Sequence, residues 1–308
     1  MAALILTISA TASEGSDVYT SEEIFSVLQR SWADVINVSY ESFSESVLES
    51  DRTLKPFTKL RYSASGSMYE YKLETKKITG ELMNYQVAFD GALKQIFVSQ
   101  LGLLSIKTLK ENDPDTYVEP LNPFNNELFQ PFIPFPMEIK DGKRVLTRLS
   151  HLNDERMWND LKQRTEIIKT TTLNGFECIE ADIQGSLFNR PEVKSFTVYF
   201  SLKNQFYPIA WIAKDATENH VLEYYVTQLA EVESSSNKQG KKVKLSYPQK
   251  SKQLLFEKGT LFSTAYKEIK TINLNTMEND DKDVYTIDPA IAKVISDMDT
   301  MTNITIPK

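Results

Sequence analysis

The chain of 308 residues offers few side chains for nucleophilic or metal-dependent chemistry. It contains two histidines, His151 and His220, and one cysteine, Cys178. A nucleophile needs an activating base beside it, and no Gly-x-Ser-x-Gly turn is present to pair with either histidine. Cys178 lies in the alternating stretch Phe-Glu-Cys-Ile-Glu, which is typical of a packed or half-exposed thiol. This composition excludes most metal sites built from several histidines and cysteines, and it excludes any internal disulfide.

The sequence lacks the patterns of a phosphate-binding loop and of a calcium loop, but one catalytic alternative remains. No Gly-x-Gly-x-x-Gly or phosphate-loop pattern occurs, and the chain has only 10 glycines. The acidic residues 278–283 lack the spaced ligands, the glycine and the terminal Glu of a calcium loop. A glycosidase needs only two carboxylates, so a carboxylate-dependent hydrolase remains an alternative. Our main expectation is a protein without catalytic activity, without a bound metal and without a cofactor.

Overall composition favours a folded, acidic protein. Hydrophobic residues make up 41% of the chain and charged residues 25%, so it can bury a sizeable core. There are 35 basic and 42 acidic residues, a formal net charge of −7, which argues against a nucleic-acid partner. The length suits one large domain or two small ones, and no domain-sized linker or fixed repeat is found.

The first twelve residues are uncharged, largely apolar and too short to span a bilayer. They end in Ala10-Thr11-Ala12, a small-x-small cleavage pattern, so residues 1–12 are predicted to be a secretory signal peptide. The positively charged region that normally opens such a peptide is missing, so we expect a signal peptide truncated at its N-terminus, and a buried N-terminal strand is the alternative. We expect a periplasmic or secreted protein, with residues 13–308 forming a single domain.

Two segments have helical periodicity. Thr20-Ser-Glu-Glu23 fits a capping box, and apolar residues such as Phe25 and Leu28 recur behind it at helical spacing. This predicts an amphipathic helix over about residues 21–35. A second helix, with a weaker apolar face, is predicted over residues 154–169.

Most of the remaining chain alternates between apolar and polar residues, as strands do. Asp90-Gly91 between two alternating stretches is the clearest hairpin signal. Residues 196–200 and 207–213 are apolar on both faces, which predicts strands covered on both sides. The predicted fold is mainly β with α (α+β): a single curved antiparallel sheet or open half-barrel with helices on its concave face.

Two further stretches stand out by composition. Residues 119–137 hold five of the 12 prolines together with four phenylalanines, so they cannot form a central strand and are predicted to cover a surface. Residues 234–252 contain six lysines. We interpret these lysines as a solvated hairpin tip or edge, and peripheral contact with an anionic membrane is the alternative.

The order of these elements resembles the LolA/LolB-like family of periplasmic carriers of lipoproteins and related lipid-binding proteins. The resemblance rests on residues 85–97, an alternating strand, Asp-Gly and a returning aromatic strand, and on residues 198–211, a strand, a turn and a Tyr-Pro strand. It covers most of residues 21–297, with residues 272–297 similar to the closing segment of large bacterial relatives. The resemblance implies an open half-barrel that carries a lipid or acyl chain.

The function that these features favour is carriage of an apolar ligand or of a lipoprotein acyl chain. Aromatic side chains on the inner face would hide hydrocarbon from water. The predicted lining and lid are Tyr62, Tyr85, Phe89, Tyr199 and Trp211, with Phe132 and Phe135 as the lid. The alternative for each of them is an ordinary place in the core. A second hypothesis is an envelope module that binds another protein through residues 119–137, and in either case we expect a monomer.

Overall fold

The structure is a computed structural model. It describes residues 19–33, 35, 37–53, 55–65, 68–109, 137–140, 143–146, 155–184, 192–234, 242, 244–274 and 285–306. Two α-helices are described, α1 (Ser21–Ala33) and α2 (Glu155–Arg164). The strands of the first half are β1 (Asn37–Leu48), β2 (Phe57–Ser65), β3 (Met68–Lys76), β4 (Leu82–Phe89), β5 (Leu93–Val98), β6 (Leu103–Thr108), β7 (Met137–Lys140) and β8 (Lys143–Leu146). Those of the second half are β9 (Thr165–Leu173), β10 (Phe176–Gln184), β11 (Val193–Ser201), β12 (Pro208–Asp215), β13 (His220–Glu233), β14 (Lys244–Glu257), β15 (Thr260–Leu274), β16 (Val294–Asp297) and β17 (Thr302–Thr305).

Helix α1 begins at the predicted capping box. The backbone N–H of Thr20 donates to Glu23 Oε2 at 2.8 Å, and the N–H of Glu23 donates to Thr20 Oγ1 at 3.2 Å. Both groups would otherwise lack a partner in the first turn. The helix carries Ile24, Phe25 and Leu28 into the core, so the predicted helix is confirmed.

Helix α2 is shorter than the sequence pattern indicated. It ends at Arg164, and the chain continues directly as strand β9 instead of extending the helix to residue 169. The segment after Arg164 reads Thr-Glu-Ile-Ile-Lys-Thr-Thr-Thr, and such β-branched residues favour an extended chain.

Fifteen strands join one open, curved sheet. Their order is β17-β16-β6-β5-β4-β3-β2-β1-β15-β14-β13-β12-β11-β10-β9, and β7 pairs separately with β8. The strand pairs of the large sheet are antiparallel, as predicted, with one exception, since β16 runs parallel to β6. Strands β6 and β16 are far apart in the sequence, and the chain reaches β16 from β15 through a long connection. No turn between the two strands could therefore have predicted this pairing.

The pairing register divides the sheet into two faces. Residues directly opposite each other on neighbouring strands point to the same side. The side that carries Tyr40, Tyr62, Tyr71 and Val87 holds the larger core, and we call it the core face. The other side is called the reverse face.

The two helices pack on the core face. The ring of Phe25 on α1 lies 5.7 Å from the ring of Phe200 on β11 and 6.2 Å from that of Trp158 on α2. Phe25, Phe200 and Trp158 are almost completely buried. Aromatic contacts that bury a large apolar area therefore fix α1 to the sheet and α2 to α1.

A smaller core lies on the reverse face, under the C-terminal segment. Ala88 and Leu104 of the sheet are buried there against Ile287 and Ala292. The side chain of Gln95 holds the segment, because it accepts from the N–H of Ile287 at 2.7 Å and donates to the carbonyl of the same residue at 3.5 Å. The segment then continues as β16 and β17 and lengthens the sheet.

Candidate functional site

Four of the predicted ligand-binding residues share the core face. Tyr62 on β2, Tyr85 and Phe89 on β4, and Trp211 on β12 lie there according to the strand registers. Tyr62 and Trp211 belong to the same contiguous core, and Tyr85 packs against it. The side chain of Tyr199 is on the reverse face instead. The predicted lid residues, Phe132 and Phe135, lie outside the described residues.

An aromatic band crosses strands β1 to β4 on the core face. Tyr62 stacks on Tyr40 with ring centroids 5.4 Å apart, Tyr69 lies 5.6 Å from Phe89, and Tyr71 lies 6.4 Å from Tyr85. We call these six residues the aromatic band. Tyr40, Tyr62, Tyr71 and Phe89 are buried, whereas Tyr69 and Tyr85 are only half-buried. The band thus changes from core to partly accessible surface towards β3 and β4.

Trp211 lies deeper, in the half of the core face that the helices cover. Its ring stacks on Tyr224 at 6.0 Å and meets the edge of Phe196 at 5.9 Å. Its indole N–H is buried and has no hydrogen-bond acceptor within the described part of the chain. A buried donor without an acceptor costs about 1–3 kcal/mol. Trp211 is only 3% exposed, so this N–H lies away from the accessible surface.

Strands β11 and β12 are buried on both faces, as their composition predicted. Val198 and Thr197 of β11 point to opposite sides and are both under 8% exposed, and the same holds for Ala210 and Trp211 of β12. Cys178 on the neighbouring strand β10 is fully buried, and burial raises the pKa of its thiol to about 11. A buried neutral thiol is a packing group and a poor nucleophile, which agrees with the first of the two interpretations of this residue.

Tyr199 belongs to a polar region of the reverse face. Burial, and to a smaller extent the charges of Glu180 and Asp182 on β10, raise the pKa of its phenol to about 12. Asp182 accepts a hydrogen bond from Thr197 Oγ1 at 2.8 Å, and Glu180 lies 3.6 Å from the ammonium group of Lys169. These surroundings are polar and charged, unlike the apolar lining that was predicted for this position.

We expect replacement of Tyr199 by Phe to flatten the loss of stability at alkaline pH. The phenol ionises near pH 10 in the unfolded chain but near pH 12 in the folded one, so it contributes stability below pH 10 that is lost as the pH rises to 12. Solvent screens the partly exposed ring, so we expect an effect of about 1 kcal/mol. Urea unfolding at pH 9, 10, 11 and 12 measures it, and equal slopes for Tyr199→Phe and the unmodified protein would contradict the assignment.

Sequence reasoning missed a hydrogen-bonded trio on the same face. His220 Nδ1 lies 2.6 Å from Glu223 Oε1, and the hydroxyl of Tyr225 donates to Glu223 Oε2 at 2.8 Å. Burial, and then the hydrogen bond to Glu223, raises the pKa of Tyr225. The three residues lie within six positions on β13, but only their strand register reveals the contact. Both oxygens of the buried Glu223 carboxylate are hydrogen-bonded within the trio, which links three residues of β13.

The carboxylates of Asp182 and Glu223 on this face lie farther apart than the two carboxyl groups of a glycosidase. Asp182 and Glu223 lie in one row across the sheet, through Thr197 and Ile212, and are three strands apart. Three strand spacings are about 14 Å, whereas a glycosidase places its two carboxyl groups about 5–9.5 Å apart. Within the described ranges, no group of three or more His, Cys, Asp and Glu residues could hold a metal ion.

A groove of about 520 Å³ lies on the reverse face over β2 to β5. Tyr85 borders it, but its charged lining comes from Lys59, Arg61, Lys72 and Glu74. Each of the cations has an acidic partner. The ion pairs are Lys59–Glu74 at 2.7 Å, Arg61–Glu41 at 2.8 Å and Lys72–Glu70 at 3.1 Å. Charged ion pairs line this groove beside Leu73, Tyr85 and Phe97, so it is not the wholly apolar cavity that the sequence predicted.

The basic stretch of residues 234–252 is described at Ser234, at Lys242 and from Lys244 onward. Its described part continues into strand β14, which begins at Lys244. The ammonium group of Lys244 lies 2.7 Å from Glu231 on β13. Contact of this stretch with an anionic membrane stays a prediction. No helix within the described ranges is long and apolar enough to cross a bilayer.

No protein-family model and no curated protein matches the chain. Solved structures similar to it include a DUF1329 family protein from Desulfovibrio piger, at 6% sequence identity and a TM-score of 0.47, covering 84% of this chain and 95% of that one. They also include a LolA superfamily protein from Nitrosomonas europaea, at 6% identity and a TM-score of 0.45, covering 87% of this chain and 98% of that one. The family that the sequence resembles is therefore represented among its structural neighbours.

Proposed function

We propose that this protein is a non-catalytic carrier that binds a lipid, an acyl chain or another apolar ligand on the core face of its open sheet. The observation that carries the proposal is the aromatic band. Its buried members continue into the half-buried rings of Tyr69 and Tyr85, beside half-buried Leu73 and Ile96. A partly accessible apolar surface next to a packed core is suited to cover hydrocarbon, at about 25 cal/mol per Å² of area removed from water.

The positions of the helices support this assignment. Their main contacts are with β9, β10 and β14, which belong to the other half of the sheet. The helices therefore do not cover the part of the aromatic band on β2 to β4, and another segment must do so. We propose that Phe132 and Phe135 provide this cover, because they lie in the segment 119–137, which is rich in proline and phenylalanine.

We also propose that the helices lie on the concave side. Helix α1 has 13 residues and is about 20 Å long, yet it contacts both β9 and β14. Those strands are five positions apart in the sheet, about 24 Å along a flat surface. A helix reaches both most easily when the sheet bends around it.

The sequence pattern of residues 1–12 supports a periplasmic or secreted location.

Binding of a fluorescent fatty acid tests the proposal. We expect Tyr85→Asp to weaken binding at least about tenfold, because a carboxylate placed beside an acyl chain must lose its hydration. Asn84→Asp is the matched control, since it adds the same charge one position away on the exposed reverse face and should leave the affinity unchanged. Solvent extraction and mass spectrometry of the protein from its native host should also recover lipid. A lipid-free protein that ignores the probe would overturn the carrier assignment.

A further inference from the structure

The two edges of the large sheet differ in how well they are protected. Strand β9 forms one edge and carries Glu166 and Lys169, and its pairing with β10 is interrupted by a register shift. Charged residues and bulges of this kind discourage an edge from pairing with another strand. Strand β17 forms the other edge with the sequence Thr-Asn-Ile-Thr. All four of its residues are exposed, none is charged, and its pairing with β16 has no register shift.

The unpaired backbone groups of β17 can be assigned from its hydrogen bonds to β16. The N–H of Ile306 donates to the carbonyl of Lys293 at 2.9 Å. Hydrogen-bonded and non-hydrogen-bonded pairs alternate in an antiparallel ladder, so Ile304 is bonded to Ile295 and its N–H and C=O point inward. The N–H and C=O groups of Asn303 and Thr305 therefore point outward, away from the sheet.

Exposed apolar side chains gather at this edge. Of the nine large hydrophobic residues that are exposed in the described part of the chain, Ile291, Met298, Met301 and Ile304 fall within fourteen consecutive positions. Ile304 also ends an apolar row of the reverse face that runs outward from Leu104 through Ile295. Exposure rises along this row from 0% at Leu104 to 60% at Ile304. The row stops at the edge strand without a cover from any described element.

We propose that this edge pairs with a second copy of the same chain, by antiparallel contact between the two β17 strands. One register uses the outward groups on both sides: Asn303 pairs with Thr305 of the second copy, and Thr305 with its Asn303. This gives four backbone hydrogen bonds around a two-fold axis. Ile304 then faces its own counterpart in a non-hydrogen-bonded pair, with Cα atoms about 4.5 Å apart. The apolar row then continues from one copy into the other. A second copy of the chain is therefore the partner that fits this edge.

The charges at the two ends of the hairpin agree with this arrangement. Lys293 lies at one end of the hairpin, and Asp297 and Asp299 lie at the other. Antiparallel pairing sets the basic end of each copy beside the acidic end of the other, whereas parallel pairing would set like charges side by side. Such complementarity favours one orientation even where the charged groups do not touch.

A dimer formed through β17 differs from the monomer expected from the sequence. In the sequence, residues 302–305 do not differ from any short polar strand. Only the sheet order shows that this strand is an edge, and only the register shows which backbone groups are open. A contact between two four-residue strands is small, so we expect association in the micromolar range, on the order of 10 to 100 µM.

Cysteine cross-linking of the full chain tests the register directly. Native Cys178 is fully buried, so an introduced cysteine is the accessible one. We expect Ile304→Cys to form a disulfide-linked dimer under mild oxidation, because the paired Cα distance suits a disulfide. Thr302→Cys is the matched control. It is equally exposed on the same strand, but in this register it lies about 13 Å from its own counterpart and should not cross-link.

Sedimentation velocity on the uncross-linked protein gives the second readout. We expect the mass to rise with concentration towards twice that of one chain of 35.2 kDa, and Ile304→Lys to keep the single-chain mass with an unchanged melting curve. Equal cross-linking of the two cysteine variants would overturn the proposal. So would a single-chain mass at about 200 µM, or a dimer that Ile304→Lys leaves intact. None of these results bears on lipid binding, so the carrier assignment is tested separately.

Discussion

Replacing Phe25 by alanine is expected to lower the free energy of unfolding by about 3–5 kcal/mol. Phe25 is fully buried and is the point at which α1 contacts both the sheet and α2, through Phe200 and Trp158. Its removal takes away the buried apolar area and leaves a cavity that the rings of two different elements must fill. Because α1 and α2 cover the same half of the core face, we also expect both to lose protection from hydrogen exchange.

Val27 provides the matched control for this substitution. It lies on the same helix but is only half-buried, so Val27→Ala should cost less than about 1.5 kcal/mol. Urea unfolding followed by tryptophan fluorescence and by circular dichroism measures both variants. A loss at Phe25 no larger than that at Val27 would show that the helices are held by contacts other than the aromatic cluster.

The elements were predictable from the sequence where the signal is local. The capping box of α1 needs only Thr20 and Glu23, and the Asp90-Gly91 turn needs only its own backbone. In that turn Gly91 has a φ of +98°, and Asp90 Oδ1 accepts from the N–H of Leu93 at 2.7 Å. Such features depend only on neighbouring residues, so the sequence predicts them without knowledge of the rest of the fold.

The distribution of site residues over the two faces was not predictable in the same way. Tyr199 and Trp211 both occur in strands that are apolar on both sides, so alternation gives no indication of which side faces the larger core. The register settles it, because Trp211 pairs with Val198 and Tyr199 with Ala210. For the same reason the trio around Glu223 was missed, although its members lie close together in the sequence.

The reverse-face core shows a further limit of local reasoning. Gln95 alternates with Leu93 and Phe97, but glutamine is a polar residue type that is mostly exposed in proteins. The structure buries it to 5% exposure, because a segment almost two hundred residues later lies over it and supplies both a donor and an acceptor. No periodicity within β5 carries that information.

Replacing Gln95 by leucine is expected to release this C-terminal segment. The substitution keeps the approximate volume of the side chain but leaves the N–H and the C=O of Ile287 buried without their partner. Each buried group left unsatisfied costs about 1–3 kcal/mol, so we expect a loss of about 2–4 kcal/mol. The cost falls on the contact between Ile287 and the sheet, while the sheet keeps its other hydrogen bonds. We therefore expect local opening of residues 285–306 before global unfolding.

Hydrogen exchange resolved by peptide distinguishes local opening from a general loss of stability. Gln86→Leu is the matched control, because Gln86 lies on the neighbouring strand and the same face but donates only to the side chain of Glu70, at 2.7 Å. That partner can turn to solvent, so we expect a change below about 0.5 kcal/mol. In Gln95→Leu the amides of β16 and β17 should exchange faster while those of β1 and β15 keep their protection. Unchanged exchange at Ile287 would show that apolar contacts alone hold the segment. The same variant should also weaken the pairing between copies at β17, since that edge is positioned by the segment that Gln95 anchors.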